Sequence, residues 1–597
     1  MLPVLRVDLP TDIPVVGCEL SPDAGLHFPD LHLPIYAMNE SVPIDGHFIR
    51  FTWYRTQSDR GAAVCSIHPS EPATLQCLEC SKRIFLVSKS YHCSTECFED
   101  GWSYHRRMHW LFRESAAERH APFGHRGVSG PPIPGPNWSG VNGPGNLDSF
   151  SSSVCISQQN SWVEVGQGKT YTPTAYDIGH VLKLECTAIS ASTWMPVGYV
   201  STVITSEVIP APSPTPRRMV PVSPVDGMVC MVAEERISAS GTFTILSYNV
   251  LADLRATAQI FSYCPPWALL WGYRRQNLLR EILGYRADII CLQEVQSNHY
   301  DEFFEPELEK NGYDAVYMRK TPEISTMSYF TMDGCATFYR SDLFKPFEKY
   351  NLEFNEAAQL LANGLHPAKR NVAISRWCKG NVAIVLVLEV LNLVHGANSS
   401  RASAKNHGQL QLLCVANTQI HSNPELKDVK LVQVHTLLKG LEKILAKTDI
   451  PMLVVGDFNS VPGSAPHKLL ATGRVDPQHP DLSSDMFGML CPSRLFHQLR
   501  LVSAYSSFAY LTGTGPDVEK QRNSIDSNNE PLFTNLKRDF RGTLDYIFYT
   551  EDSLGVEALL ELLDEDILTI DRALPSPKWS SDHIALLAEF RFRRAHP

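Results

Sequence analysis

From Thr242 onward, short apolar runs keep meeting an acid, an amide or an imidazole at one end. TFTILSYN closes on Asn249, IICLQE on Glu294, and PMLVVGDFN on Asp457 and Asn459. DYIFY opens on Asp545, and IALLAEF follows directly on Asp582 and His583. Runs this short and this rich in β-branched residues fit buried strands. Between them, YRRQNLLREILG reads as a helix with a glycine stop at Gly284. A second helix carries Val429, Val432, Leu437, Leu438, Leu441 and Leu445 at helical spacing. Strands alternating with such helices predict a layered α/β sandwich rather than a parallel barrel, with polar groups presented at strand ends.

The stretch Pro451 to Pro462 states the chemistry most compactly. The apolar run Met452 to Val455 stops at Gly456, which reaches backbone angles other residues avoid. Asp457 and Asn459 follow two positions apart, so an extended backbone puts both on one face. A carboxylate there can hold a divalent cation or take a proton from water, and an amide can donate to a developing oxyanion. A plain polar turn is the competing reading for this stretch alone. Asn423-Pro424-Glu425 predicts an N-cap, an N1 proline and an acidic first turn for the helix behind it. Residues 395–411 are polar and read as a hairpin loop, and the Leu/Glu-rich segment from Val556 reads as a helix.

The formal charge of -11 argues against a broad nucleic-acid-binding surface. Contact with RNA or DNA is then local and metal-mediated. The N-terminal stretch lacks a signal-like apolar core, and the run Val382 to Val394 is too short and too interrupted to span a bilayer. The chain therefore reads as soluble and intracellular. Its fifteen cysteines are scattered except for one cluster, Cys65-x2-His68, Cys77-x2-Cys80, Cys93-x3-Cys97 and His105-x3-His109. Four closely spaced ligand pairs supply two closed tetrahedral Zn²⁺ sites, which would be structural. The predicted order is a first β-sandwich part (1–60), the double zinc finger (65–109) and a Gly/Pro/Ser-rich linker (110–155). A second sandwich part (156–210), a Pro-rich linker (211–240) and a catalytic domain (241–597) complete it.

Three resemblances sharpen these expectations. YHCSTECFEDGWSYHRRMH resembles a MYND-type zinc finger. That family interleaves its sites, which implies Cys65, His68, Cys93 and Cys97 on one zinc and Cys77, Cys80, His105 and His109 on the other. It also implies docking of a Pro-rich peptide. Trp53 and WVEVGQGKTYTPTAYDIGHVLKLECTAI resemble an immunoglobulin-like repeat, so the flanking segments are predicted to form one split sandwich, with two or three strands before the finger and about four after it. SYNVLAD, LQEV, GDFN, GTLDYIFY and SSDH, in that order, resemble the endonuclease/exonuclease/phosphatase superfamily with its DNase I-like four-layer α/β sandwich. With YCPPWAL and YRRQNLLREI, they resemble its carbon catabolite repressor protein 4 family in the plant-type form.

That family resemblance implies a Mg²⁺-dependent 3′-to-5′ exoribonuclease that shortens poly(A) tails as a CCR4–NOT subunit, in cytoplasm and nucleus. Its partners would be single-stranded poly(A) RNA and other subunits, among them the DEDD-type deadenylase docking on the finger through a Pro-rich motif. Glu294 would bind Mg²⁺, and Asp457 would bind a second ion or deprotonate water. Asn249 and Asn459 would hold phosphate oxygens, and Asp582 would complete the metal or water shell. His583 would face the phosphate, oriented by Asp545. Pro424, Asn535 and Phe540 would contact the terminal adenosine. Gln419 departs from the family, which has histidine there; His421, two residues on and on the same strand face, could reach in instead. Two other functions compete: a phosphoesterase acting on a nucleotide 2′-phosphate or inositol phosphate, and an adaptor with a weakened nuclease half.

Overall fold

The computed structural model describes residues 4–27, 35–36, 42–57, 63–77, 80, 90–102, 105, 161–222, 241–321, 332–391, 410–446, 450–563 and 573–593. They fall into two compact units, Met1–Ser213 and Pro214–Pro597. Among the described residues no helix is long and apolar enough to cross a membrane.

In the first unit, strand His47–Thr56 pairs antiparallel with both Trp162–Gln167 and Val181–Ser190, and the latter pairs with Pro196–Glu207. Among the described residues the stretch after the finger thus holds three long strands, where about four are predicted. Alternation drives the burial. Ile49, Phe51 and Trp53 face inward with Leu182, Leu184 and Cys186, against Leu20, Ala24 and Leu26. Trp53 is fully buried, donates from Nε1 to Gly168 O at 3.1 Å and stacks on Tyr171. Buried Asp177 fixes the corner before strand Val181–Ser190, accepting from Thr174 N at 2.7 Å and Tyr171 Oη at 2.8 Å.

In the second unit we number the strands of its two large sheets in chain order. They are β1 (Met219–Pro221), β2 (Thr242–Asn249), β3 (Ile289–Gln296), β4 (Tyr313–Arg319), β5 (Asp333–Arg340) and β6 (Phe344–Glu353). Then come β7 (Val382–Val390), β8 (Leu412–Gln419), β9 (Met452–Asp457), β10 (Leu501–Ser503), β11 (Asp545–Thr550), β12 (Leu554–Leu560) and β13 (Leu586–Phe592). One sheet runs β1-β12-β13-β2-β3-β5-β4, the other β6-β7-β8-β9-β11-β10. Each has one parallel pair near its centre, β2–β3 and β8–β9; the other pairings are antiparallel.

Side chains from the two sheets meet in one core. Phe243, Ile245, Ile289 and Cys291 lie in it with Ile384, Val415, Leu453 and Val455. Because strand side chains alternate, the next residues point outward. Leu246, Tyr248 and Ile290 meet helix α1 (Trp271–Gly284) through Leu278 and Ile282. Ala416, Met452 and Val454 meet α2 (Lys427–Leu445) and α3 (Ala465–Thr472) through Leu437, Leu438 and Leu469. The result is helix, sheet, sheet, helix.

Three local expectations change. Strand β9 runs through Gly456 to Asp457, because this glycine, at φ +138°, permits close contact with β8: a Cβ there would lie 2.0 Å from Thr418 O. Helix α2 starts at Lys427, since Asn423 Oδ1 accepts from Glu425 N at 2.9 Å in an Asx-type turn before it. The segment from Val556 is strand β12, where pairing with β13 overrides the helix-forming composition. Residues 392–409, most of the predicted hairpin loop, lie outside the described residues, as do the linker 110–155 and most of 211–240; antiparallel β7 and β8 flank the loop segment.

Candidate active site

The ends of the two parallel pairs meet. Asn249 ends β2, Glu294 lies near the end of β3, and Gln419 and Asp457 end β8 and β9 opposite each other. Glu294 takes a left-handed backbone, φ +59°, where the β3–β5 register shifts between Leu292 and Val295. That bulge re-aims the carboxylate, which a regular strand would send elsewhere. Asn459 is also left-handed, φ +47°, a conformation asparagine tolerates.

Asp457 is the hub, and it is buried. Its Oδ2 accepts from Asn249 Nδ2 at 3.0 Å, Asn459 Nδ2 at 3.0 Å and Gln419 Nε2 at 3.1 Å, and its Oδ1 from Asn459 N at 2.9 Å. Burial raises its pKa to about 6, helped by the carboxylates of Asp545 and Glu294 and opposed by His583 and Gln419. His583 Nδ1 lies 2.7 Å from Asp545 Oδ2, and that oxygen also accepts from Thr534 Oγ1 at 2.6 Å. Burial alone would push the imidazolium down; Asp545, Asp582 and Asp457 outweigh it and hold His583 at about 10. One ligand atom each from Asp457, Asp545 and His583 falls within 4.8 Å of the others.

Glu294 is gripped from three sides. Oε1 accepts from Arg255 Nη1 at 2.6 Å and Gln419 Nε2 at 2.8 Å, and Oε2 from Ala252 N at 3.0 Å. Burial raises its pKa, but Arg255, Lys320 and these hydrogen bonds prevail and hold it well below the usual carboxylate range. Gln419 thus bridges the Glu294 and Asp457 carboxylates, while its Oε1 accepts from Lys320 Nζ at 2.6 Å. Lys320 is in turn paired with Asp333.

The remaining predicted residues are placed as follows. Asp582 Oδ2 accepts from Asn535 Nδ2 at 3.1 Å, and both are buried. Phe540 is half-buried on the hairpin Asn535–Leu536/Arg541–Gly542; a Cβ on Gly542 would lie 2.9 Å from its ring and 3.5 Å from Val461, just past the Asp457 turn. Pro424 is exposed in the turn before α2. His421 lies beyond the end of β8, so it does not share a strand face with Gln419. Burial, with the nearby cations Lys379 and Lys430, lowers it to about 4, which keeps it neutral.

Three cations were not among the predicted site residues. Arg255 sits on a polar turn, and Lys320 directly follows β4; neither position carries a periodic signal. Lys430 was findable, as a lysine on the apolar face of α2. Its Nζ donates to Asn459 O at 2.5 Å and Ser422 O at 3.3 Å, and burial lowers it to about 8.

In the first unit, ligand atoms of Cys65, His68, Cys93 and Cys97 lie within 4.8 Å of one another, and so do those of Cys77, Cys80 and His105. His109 lies outside the described residues. Backbone N–H groups of His68 and Ile67 offset burial and lower the Cys65 thiol to about 7, toward the thiolate a metal needs. Both groups can hold a metal ion.

Residues 246–583 match the Endonuclease/Exonuclease/phosphatase family. Carbon catabolite repressor protein 4 homolog 2 of Arabidopsis thaliana is 53% identical over 609 residues, covering 99% of each chain. The CCR4-Not complex 3'-5'-exoribonuclease subunit Ccr4 of Schizosaccharomyces pombe is 33% identical over 378 residues, 59% of this chain and 49% of that protein. Among solved structures, ANGEL2, a 2',3'-cyclic phosphatase, is 28% identical over 59% of this chain and 96% of its own, with a TM-score of 0.45. On its matched residues and its full-length likeness to the plant proteins, the chain belongs to the endonuclease/exonuclease/phosphatase family and, within it, to the carbon catabolite repressor protein 4 homologues.

Proposed function

We propose that the protein is a Mg²⁺-dependent 3′-to-5′ exoribonuclease that removes AMP from poly(A) tails within a CCR4–NOT complex. The observation that carries this reading is the bridging of Glu294 and Asp457 by one amide, with His583 and Asp545 alongside. Its membership of the carbon catabolite repressor protein 4 homologues supports the substrate and the complex.

The donor set fits a hard divalent cation. Glu294 and Asp457 offer carboxylate oxygens, and Oδ1 of buried Asp545 and of buried Asp582 has no hydrogen-bond partner among the described residues. Glu294 would hold the ion, with Asp582 nearby. When bound, Mg²⁺ supplies positive charge to the phosphate and the leaving oxygen. Asp457, at about 6, is matched to take a proton from the attacking water. Water oxygen bonds to phosphorus, the bond to the 3′ oxygen of the penultimate nucleotide breaks, and His583 delivers a proton to that oxygen. Asn249 and Asn459 donate to phosphate oxygens as charge builds. Phe540 and Pro424 would stack against the terminal adenine, and Asn535 would hydrogen-bond its edge.

The test is 5′-labelled RNA ending in an A-tract, incubated with wild type and Asp457→Ala, with and without Mg²⁺. Shortening by wild type alone, and only with Mg²⁺, supports the reading; an intact tail refutes it.

For the first unit, we infer two structural Zn²⁺ sites, with His109 completing the second, and a surface for a Pro-rich peptide of a partner subunit. Residues 1–60 and 156–210 would be one sandwich with the finger as an excursion. Expressed separately, neither piece should fold; two independently folded pieces would refute the single sandwich. Residence in cytoplasm and nucleus goes with this assignment, and imaging of a tagged chain would test it.

A further inference from the structure

Glu294 is bound to a cation that belongs to the protein. Arg255 Nη1 lies 2.6 Å from Oε1, and its Nη2 lies 3.6 Å from Asp333 Oδ1. The donors on Asp457, by contrast, are neutral amides and a backbone N–H. Glu294 therefore differs from Asp457: a divalent ion approaching it meets an ion pair already made. Oε1 also carries Gln419, and Oε2 carries Ala252 N, so access to Oε1 requires one donor to leave.

Arg255 is the donor free to do so. Gln419 is buried in its bridge and Ala252 is backbone, whereas the Arg255 side chain is 36% exposed. It sits on the three-residue turn Asp253–Arg255, and its contact with Asp333 offers a pivot. Swung off Glu294, its planar fork is suited to two phosphate oxygens. Lys320, the other cation of this group, is buried against Asp333 and Gln419 and cannot swing in this way.

We propose that Arg255 is an exchanging counter-ion: it holds Glu294 until a divalent cation takes the carboxylate, then turns to a phosphate of the RNA. The proposal rests on the metal-dependent nuclease reading and adds a residue that the reading does not use. Two consequences follow. The free protein binds divalent ions more weakly than its carboxylates alone would. Arg255 also contributes to RNA binding once the ion is in place.

The experiment is calorimetric titration of the full chain with Mn²⁺ without RNA, on wild type, Arg255→Gln, Arg255→Lys and Glu294→Gln, followed by KM for A-tract RNA. Removing an ion pair with one exposed partner should tighten Mn²⁺ binding in Arg255→Gln by roughly two- to fivefold. Arg255→Lys should stay near wild type, and KM should rise in Arg255→Gln. Unchanged or weaker Mn²⁺ binding in Arg255→Gln overturns the exchange, and an unchanged KM overturns the contact with phosphate. Glu294→Gln separates the two levels: if it keeps wild-type Mn²⁺ affinity, the metal assignment itself fails, whatever Arg255 does.

Discussion

In the proposed mechanism Asp457 is the base and His583 the acid, and their environments push their pKa values to opposite sides of neutrality. There Asp457 would act deprotonated, above about 6, and His583 protonated, below about 10. The rate of A-tract shortening should therefore be flat across neutrality and fall toward about pH 10, with its rising limb at or below about pH 6. A bound cation draws Asp457 lower, so the falling limb is the more diagnostic one. A pH–rate profile with a descending midpoint near 6.5, the value of a free imidazole, would contradict the Asp545–His583 pairing. Asp457, Asn459, Glu294 and His583 stood out in the sequence because each is a polar group against an apolar run. Arg255 and Lys320 did not, because a cation on a turn has no pattern to break; only the distances to Glu294 and Gln419 distinguish them.

At the scale of elements, the site depends on how closely β8 approaches β9. Gly456 sits opposite Thr418, and the next pair is Gln419 and Asp457. A Cβ placed 2.0 Å from a backbone oxygen cannot be absorbed by a flexible side chain, and φ +138° is strained for any other residue. Gly456→Ala should part the two strands, lower activity by at least tenfold and lower the melting temperature. Near-wild-type values in both measurements would show that the close approach is dispensable. The strands and the two long helices were readable from hydrophobic period. Local boundaries were not. The start of α2 was misplaced because Asn-Pro-Glu serves an Asx turn as well as an N-cap, and β12 because leucine and glutamate favour a helix until a neighbouring strand claims them.

On the scale of the whole molecule, the two units divide the chemistry: cysteine and histidine clusters in the first, carboxylates and imidazole in the second. The pairing of His47–Thr56 with Trp162–Gln167 and Val181–Ser190 joins segments more than a hundred residues apart. Composition hinted at this, since each flank holds too few strands to bury its own face, but register is a property of the folded sheet. Two clusters predict two zinc ions per chain by elemental analysis, and Cys80→Ser should lose one while leaving A-tract shortening in the second unit unchanged. Zinc content unaffected by Cys80→Ser would remove that cysteine from the second site. The central claim, a Mg²⁺-dependent nuclease working inward from a 3′ poly(A) end, is tested most directly by the product. The RNA is a 5′-labelled strand whose A-tract follows a mixed sequence, incubated with the full chain and Mg²⁺. The expected product is a one-nucleotide ladder that stops at the A-tract boundary with AMP released, and no ladder with Asp457→Ala. Internal cuts, or a tail left intact by the wild-type protein, would contradict it.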